Sequence, residues 1–257
     1  MSQGNSNSEK ISVVVLTKNN SSTIEDTLIS VYDWVDEIIV LDSGSTDDTL
    51  NIAKKFNCNI HHKDFTGFGE QKKYGVSLAK NDWILILDSD EVITNELKNE
   101  IILNIPNPDI QGYLLPITLV FLEKKMNHGR ENKFPHLRLF NRKFGNFNNS
   151  NVHENIDLKG NTLKLKNEIL HYSYKNLNDY FKKFNFYTEL ASIDLFNKGR
   201  KVNSFEIILR FPLQFIQTYF IHRNFLNGFN GFIWSLCSSL YPVIKLTKLK
   251  QLNGNKS

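Results

Sequence analysis

An α/β fold, with a doubly wound and mostly parallel sheet followed by a helical extension, is what three features of this 257-residue chain predict. Near-continuous apolar runs recur over residues 11–16, 37–41 and 83–87. They read as strands buried on both faces, because a sheet with one wet face would alternate apolar and polar residues. Between the runs lie segments with helical apolar spacing that open on Ser, Thr or Asp, so strands and helices alternate across short turns. From Leu177 onward aromatic and aliphatic residues recur at helical spacing only.

The length suits one large α/β domain with an appendage, or two small domains. A net charge of +4 and a pI of 8.8 are too mildly basic to argue for a nucleic-acid partner. Cys58 and Cys237 have no metal-ligand spacing and, with no secretory signal at the start, fit a reducing cytoplasm. Residues 1–10 are polar and rich in Ser and Asn, the composition of a disordered tail.

In chain order, the first strand ends in Thr17-Lys18-Asn19-Asn20, and a helix is expected from Ser22 and Thr23 through Leu28 to Tyr32. The second strand closes in Asp42-Ser43-Gly44-Ser45-Thr46-Asp47, after which residues 46–49 cap a helix carrying Leu50, Ile52, Ala53 and Phe56. Residues 59–61 make a short third strand. Gly67-Phe68-Gly69 leads into a helix expected from Glu70 to Lys80, whose start carries Gln71 and two lysines, Lys72 and Lys73, that fit either a diphosphate contact or a solvated face. Neither a dinucleotide-binding glycine loop nor a P-loop is present.

The strand over residues 83–87 ends in Asp88-Ser89-Asp90-Glu91. In an extended chain Asp88 and Asp90 project to the same side, so the two carboxylates are expected side by side at the carboxyl edge of the sheet, where open α/β folds bind ligands. Carboxylates that close raise each other's pKa unless a hard cation such as Mg2+ or Mn2+ neutralises them, and such an ion keeps sites free for phosphate oxygens. The same residues also fit a strand that stops in a solvated acidic turn.

Taken together, residues 13–20, residues 40–47 and Asp88-Ser89-Asp90-Glu91, in this order and at these separations, make the chain resemble the family 2 glycosyltransferases, inverting GT-A enzymes that use nucleotide-diphosphate sugars. With Phe68-Gly69-Glu70-Gln71-Lys72 added, the pattern looks most like the branch that adds glucose to the heptose of bacterial lipopolysaccharide inner cores, as a β-1,4-glucosyltransferase. The resemblance implies that Thr17 and Asn19 line the nucleotide site and that Asp42 lies near the base. Ser43 stands where the family usually has a second Asp, which bears on base recognition. Lys72 stands where many relatives carry Arg, keeping a charge but not bidentate geometry. Asp90 is implied as metal ligand and Asp88 as close to the ribose or the metal.

In the second half, residues 113–117 and 119–122 are strand-like, and in the family this half receives the acceptor. Arg138 fits an acceptor contact or a surface arginine. Glu154, in Val152-His153-Glu154-Asn155, aligns with the region that supplies the catalytic base; the alternative is a structural Glu paired with His153 or Arg138. His171 fits the late histidine that often completes the GT-A metal shell, or an ordinary half-buried histidine.

The tail is expected to hold a helix from Leu177 to Asn197. Next comes a segment in which Glu206, Arg210, Gln214 and Gln217 form one polar stripe among apolar residues. A later run over residues 232–244 is short, interrupted by serines and Pro242, and followed by Lys245, Lys248 and Lys250. No run reaches spanning length, so the tail fits helices lying in a membrane interface, with a homodimer interface or docking onto the catalytic domain as the competing reading. The expected divisions are a tail over 1–10, a nucleotide-sugar half over 11–110, an acceptor half over 111–175 and a membrane-associating helical region over 176–257.

The function these features imply is metal-dependent, inverting transfer of a hexose, glucose by resemblance, from UDP-glucose to a lipid-linked oligosaccharide at the cytoplasmic face of a bacterial inner membrane. Two alternatives stand beside it. An aspartyl-phosphate-type phosphatase shares the apolar-strand-then-Asp-x-Asp pattern but needs a later Gly-Asp loop, and the chain has no Gly-Asp dipeptide. A non-catalytic membrane module that binds nucleotide sugars is the other.

Overall fold

The computed structural model describes residues 9–148, 155–174 and 176–254, which form two compact units. The first unit holds the described residues up to Ile117 and those from Lys133 to Tyr172; the second holds Thr118–Asn132 and the described residues from Ser173 on.

The first unit is an α/β sandwich. Its chain runs β1 (Ile11–Thr17), α1 (Ile24–Ile29), β2 (Glu37–Asp42), α2 (Thr49–Lys54), β3 (Asn59–His62), α3 (Phe68–Leu78), β4 (Trp83–Asp88), β5 (Glu91–Ile93) and α4 (Asn95–Asn104). There follow β6 (Ile110–Phe121), whose last residues belong to the second unit together with the two-residue β7 (Lys124–Lys125), and then β8 (Phe134–Asn141), β9 (Gly145–Phe147), β10 (Ile156–Leu158), β11 (Asn161–Lys164) and β12 (Ile169–Tyr174), the last two residues of which also belong to the second unit. The sheet order is β3-β2-β1-β4-β8-β6-β12-β5, with β11 added beside β6. β1, β2, β3 and β4 pair in parallel, as expected of a doubly wound sheet, whereas β8 joins β4 antiparallel and begins a mixed second half.

The near-continuous apolar runs have the cause the sequence suggested, because both faces of the parallel strands are covered. Val13, Val15, Val40, Leu85 and Leu87 pack toward Ile24 and Leu28 of α1, Ile52 of α2 and Leu97 and Ile101 of α4. The alternate residues Val14, Ile39, Ile84 and Ile86 cluster with Val76 of α3 and with Phe147. Register then fixes the working edge. Thr17 lies opposite Asp42, and Leu16 opposite Asp88, so the carboxyl ends of β1, β2 and β4 share one rim.

Two local expectations need correction. The first helix stops at Ile29 rather than Tyr32, since Val31 N donates to Leu28 O and Trp34 N to Val31 O in tightened turns, and Ser30 Oγ bonds back to Thr27 O. The chain is also not extended through Asp88 and Asp90. Ser89 and Asp90 make a turn, folded by Asp88 N donating to Glu91 Oε2 at 3.0 Å, and Glu91 opens a new strand.

In the second unit, α5 (Leu177–Asn197) has the bounds its spacing predicts. α6 (Ser204–Ile216) runs into a π turn (Gln217–Ile221), and a 3-10 turn (Asn224–Asn227) leads to α7 (Gly228–Gly254). The serines and Pro242 that interrupt the apolar run do not interrupt the helix. Ser235 Oγ donates to Gly231 O and Ser239 Oγ to Ser235 O, so these hydroxyls are satisfied within the helix. The small core of this unit joins Leu119, Phe121 and Met126 to Tyr180 and Cys237. Among the described residues, no helix is long and apolar enough to cross a membrane.

Candidate active site

The rim is built from two loops laced together. Asn19, at φ 54° in the left-handed region that asparagine tolerates, accepts from Thr46 N at 2.7 Å through Oδ1 and donates its own N–H to Ser45 Oγ at 2.8 Å. Asn20 N donates to Thr49 Oγ1 and Ser21 N to Asp47 Oδ2. Asp42 is buried and accepts from Gly44 N at 2.9 Å and Ser45 N at 3.0 Å, an Asx-type turn in which Gly44 supplies the positive φ of 91°. The carboxylate expected near the base is therefore also the keystone of its own loop.

Behind this loop two buried polar atoms lack a partner among the described residues, Thr17 Oγ1 and Gln71 Oε1. They are linked in space: Gln71 Nε2 donates to Ser43 Oγ at 2.7 Å and to Lys63 O at 2.8 Å, and Ser43 N donates to Thr17 O. A buried polar atom left unsatisfied costs about 1–3 kcal/mol, which the polar edge of a ligand would recover. Sequence reasoning gave Gln71 no separate role. Its neighbour Lys72 is buried with its ammonium 5.9 Å from the Phe147 ring.

The acid cluster lies where β4, β5, β8 and β12 meet. Arg138 Nη2 on β8 donates to Glu91 Oε1 at 2.6 Å and to Asp88 Oδ2 at 3.1 Å. Expected to meet the acceptor, Arg138 here clamps two carboxylates. Burial works against the charge of Asp88, but Arg138, then Lys72 and His171, outweigh it and hold Asp88 below the usual carboxylate range. Glu91 is fully buried, and burial pushes its pKa up against the pull of Arg138.

Asp90 and His171 form the second pair. Strand register sets His171 opposite Glu91, and Tyr172 N donates to Asp90 O, so Asp90 Oδ1 lies 3.3 Å from His171 Nε2. Burial disfavours the imidazolium, yet the carboxylate of Asp90, followed by Glu91 and Asp88, outweighs burial and raises the pKa of His171. His136 differs: burial first, then Arg138, lower its pKa to about 4, so it is neutral at pH 7.

The donor set suits a hard divalent ion in part. An oxygen and a nitrogen 3.3 Å apart are near the ~3 Å spacing of adjacent ligands around a six-coordinate ion of this size. Asp88, by contrast, is drawn to Arg138, and among the described residues no three His, Cys, Asp or Glu side chains converge as a ready-made cage. Mg2+ commonly takes one or two carboxylates and completes its shell with substrate phosphates, so the Asp90–His171 pair fits an ion that arrives with a diphosphate. Glu154 lies outside the described residues.

Arg138 yields a direct stability prediction. Arg138→Ala leaves Glu91 buried without its charge partner and should lower the unfolding free energy by about 3–5 kcal/mol in a urea titration. Replacing both partners with apolar residues, Arg138→Met with Glu91→Leu, should restore most of the loss. If the single substitution leaves the urea midpoint unchanged, the clamp is not the structural element described.

Residues 12–158 match the family model described as Glycosyl transferase family 2. A protein named uncharacterized glycosyltransferase from Rickettsia felis is 34% identical over 257 aligned residues, covering 95% of this chain and 90% of its own length. The lipopolysaccharide core biosynthesis glycosyltransferase LpsC of Rhizobium meliloti is 23% identical, over 86% of this chain and 85% of its own. Among solved structures, glucosyl-3-phosphoglycerate synthase from Mycobacterium tuberculosis, in complex with Mn2+, UDP and glucosyl-3-phosphoglycerate, is 28% identical at a TM-score of 0.38. That alignment covers 42% of this chain and 44% of the synthase. The phosphatase and the non-catalytic module give way to these matches: the chain belongs to glycosyltransferase family 2, and it is a glycosyltransferase of the GT-A fold.

Proposed function

We propose that this enzyme is a divalent-metal-dependent, inverting hexosyltransferase that moves glucose from UDP-glucose to a lipid-linked saccharide of the lipopolysaccharide-core type, working at the inner face of a bacterial inner membrane. The observation that carries the reading is the Asp90–His171 pair, set at the carboxyl end of the parallel strands beside the Arg138-clamped Asp88. A Mg2+ or Mn2+ ion held by Asp90 and His171, with Asp88 at the ribose or the ion, would neutralise charge on the departing diphosphate. Asn19 and Asp42 shape the nucleotide loop, while Thr17 Oγ1 and Gln71 Oε1 supply buried hydrogen-bonding capacity for the base or ribose. Lys72 adds positive charge that is felt at Asp88.

Inversion needs a base that takes the proton of the acceptor hydroxyl as its oxygen attacks the anomeric carbon opposite the leaving diphosphate. Glu154 is assigned that role by its position in the family pattern. Glu91 is a poor substitute, since its two oxygens are occupied by Arg138 and by Asp88 N. Similarity to LpsC supports a core-saccharide acceptor.

The reading is tested by supplying radiolabelled UDP-glucose and Mn2+ with core-deficient lipopolysaccharide. Label should move into the lipid-extractable fraction, and EDTA should stop it. Transfer that is undiminished in excess chelator would remove the metal from the scheme. Label that stays entirely as free UDP-glucose or glucose would remove this donor and acceptor pair.

A further inference from the structure

We propose that the hairpin of α6, the turn over residues 222–227 and the first part of α7 is a docking surface for an anionic lipid bilayer, lying in the interface without crossing it. The inference rests on, and gives a location to, the membrane-side reading of the acceptor.

The helix carries three stripes. Phe211, Phe215 and Tyr219 stack along one of them, with Phe215 and Tyr219 meeting the Phe232 ring of α7 edge-on. A second holds Glu206, Arg210, Gln214 and Gln217. The third is apolar and open to solvent: Phe205 is 70% exposed and Leu213 62%, with Ile208, Ile216 and Phe220 on the same face. A helix of a water-surrounded unit would turn its polar stripe outward and cover this one.

The turn that follows is rigid and also presents apolar side chains. Asn224 and Asn227 are buried; Asn224 Nδ2 donates to Thr218 O, and Asn227 exchanges hydrogen bonds with both the N–H and the carbonyl of His128. Gly231 allows the close approach, for a Cβ there would sit 1.9 Å from Asn224 O. This scaffold holds Phe225, Leu226 and Phe229 outward, Phe229 at 72% exposure. Anchored asparagines spent on displaying two phenylalanines and a leucine build a surface for insertion, not a solvent loop.

Charge selects the occupant. Residues 198–254 carry eight Lys or Arg and one acidic residue, Glu206; Lys198 and Lys248 pair with Asp194 and Glu189 of α5 at 2.7 and 3.1 Å, which leaves a net positive charge. Glu206 is already engaged by Arg200 at 2.9 Å and Arg210 at 3.3 Å. Arg223, exposed beside the apolar turn, has no ion pair among the described residues. A symmetric dimer through this face would set its excess of positive charge, Arg223 included, against that of its copy, whereas anionic headgroups neutralise it. Lack of a spanning helix among the described residues is in keeping with a hairpin that lies flat.

The test is co-sedimentation of the full chain with phosphatidylcholine vesicles, with and without phosphatidylglycerol. Binding of UDP-glucose is measured in parallel as a readout of the other unit. Wild type should bind the anionic vesicles, and the Phe225→Ser/Phe229→Ser double variant should bind about a hundredfold more weakly. Arg223→Glu should lose about twenty-fold on anionic vesicles and little on neutral ones. All should keep wild-type circular dichroism. Wild-type protein that stays in the supernatant with both vesicle types, or variants that bind as well as wild type, overturns the docking surface. So does a stable dimer in sedimentation velocity that the same substitutions dissociate. Failed vesicle binding with intact donor binding rejects the surface alone, while vesicle binding without donor binding rejects the proposed transferase chemistry and leaves the surface standing.

Discussion

Asp90→Asn should lower transfer by about two to three orders of magnitude, the scale on which a single charge-stabilising group acts at a transition state, and should leave the fold nearly untouched. The substitution keeps the size of the side chain and removes the charge that faces His171 and, in the proposed chemistry, the diphosphate-bound ion. Little stability is at stake, because Asp90 and His171 are both partly exposed at the rim and such pairs contribute about 1 kcal/mol or less. Activity and thermal midpoint measured on one preparation separate the two effects. A variant with wild-type turnover would mean that Asp90 does not take part, and a variant that fails to fold would mean that the pair is structural.

The second large effect is expected at Glu154. Glu154→Gln preserves shape and hydrogen bonding but removes basicity, so single-turnover transfer should fall by about 10²–10⁴ while UDP-glucose affinity stays near wild type. Near-normal transfer by this variant would move the base elsewhere. Asp157, exposed on β10, is then the carboxylate to test, because Glu91 is buried and already clamped.

The parallel core was legible because burial on both faces erases alternation: every residue of β2 is buried, and between Glu37 and Asp42 at its ends the sequence shows four apolar residues in a row. Helical spacing of Tyr180, Phe181, Phe184, Tyr187 and Leu190 located α5 (Leu177–Asn197) in its turn. The acid cluster was legible as composition but not as geometry. Periodicity places Asp88 and Asp90 on one side only if the backbone stays extended, and the bond from Asp88 N to Glu91 Oε2 breaks that condition. Nor does local sequence reveal that Arg138, far along the chain, turns inward to meet Asp88 and Glu91, since that depends on how β8 adds antiparallel beside β4. α7 runs on through the serines and Pro242 that interrupt its apolar run. Serines and proline lower helix propensity, yet the hydroxyls bond back within the helix, and Leu246 and Leu249 are buried on it.

The central claim is that the rim formed by Asp42, Asp88, Asp90 and His171 grips a nucleotide-diphosphate sugar together with a divalent ion. Calorimetric titration of UDP-glucose into the wild-type protein, first with Mn2+ and then with EDTA, tests it most directly. Saturable one-to-one binding in Mn2+ that is lost in EDTA, and lost again in Asp90→Asn with Mn2+ present, is the predicted result. Equal affinity with and without the metal, or binding that Asp90→Asn leaves unchanged, would contradict it.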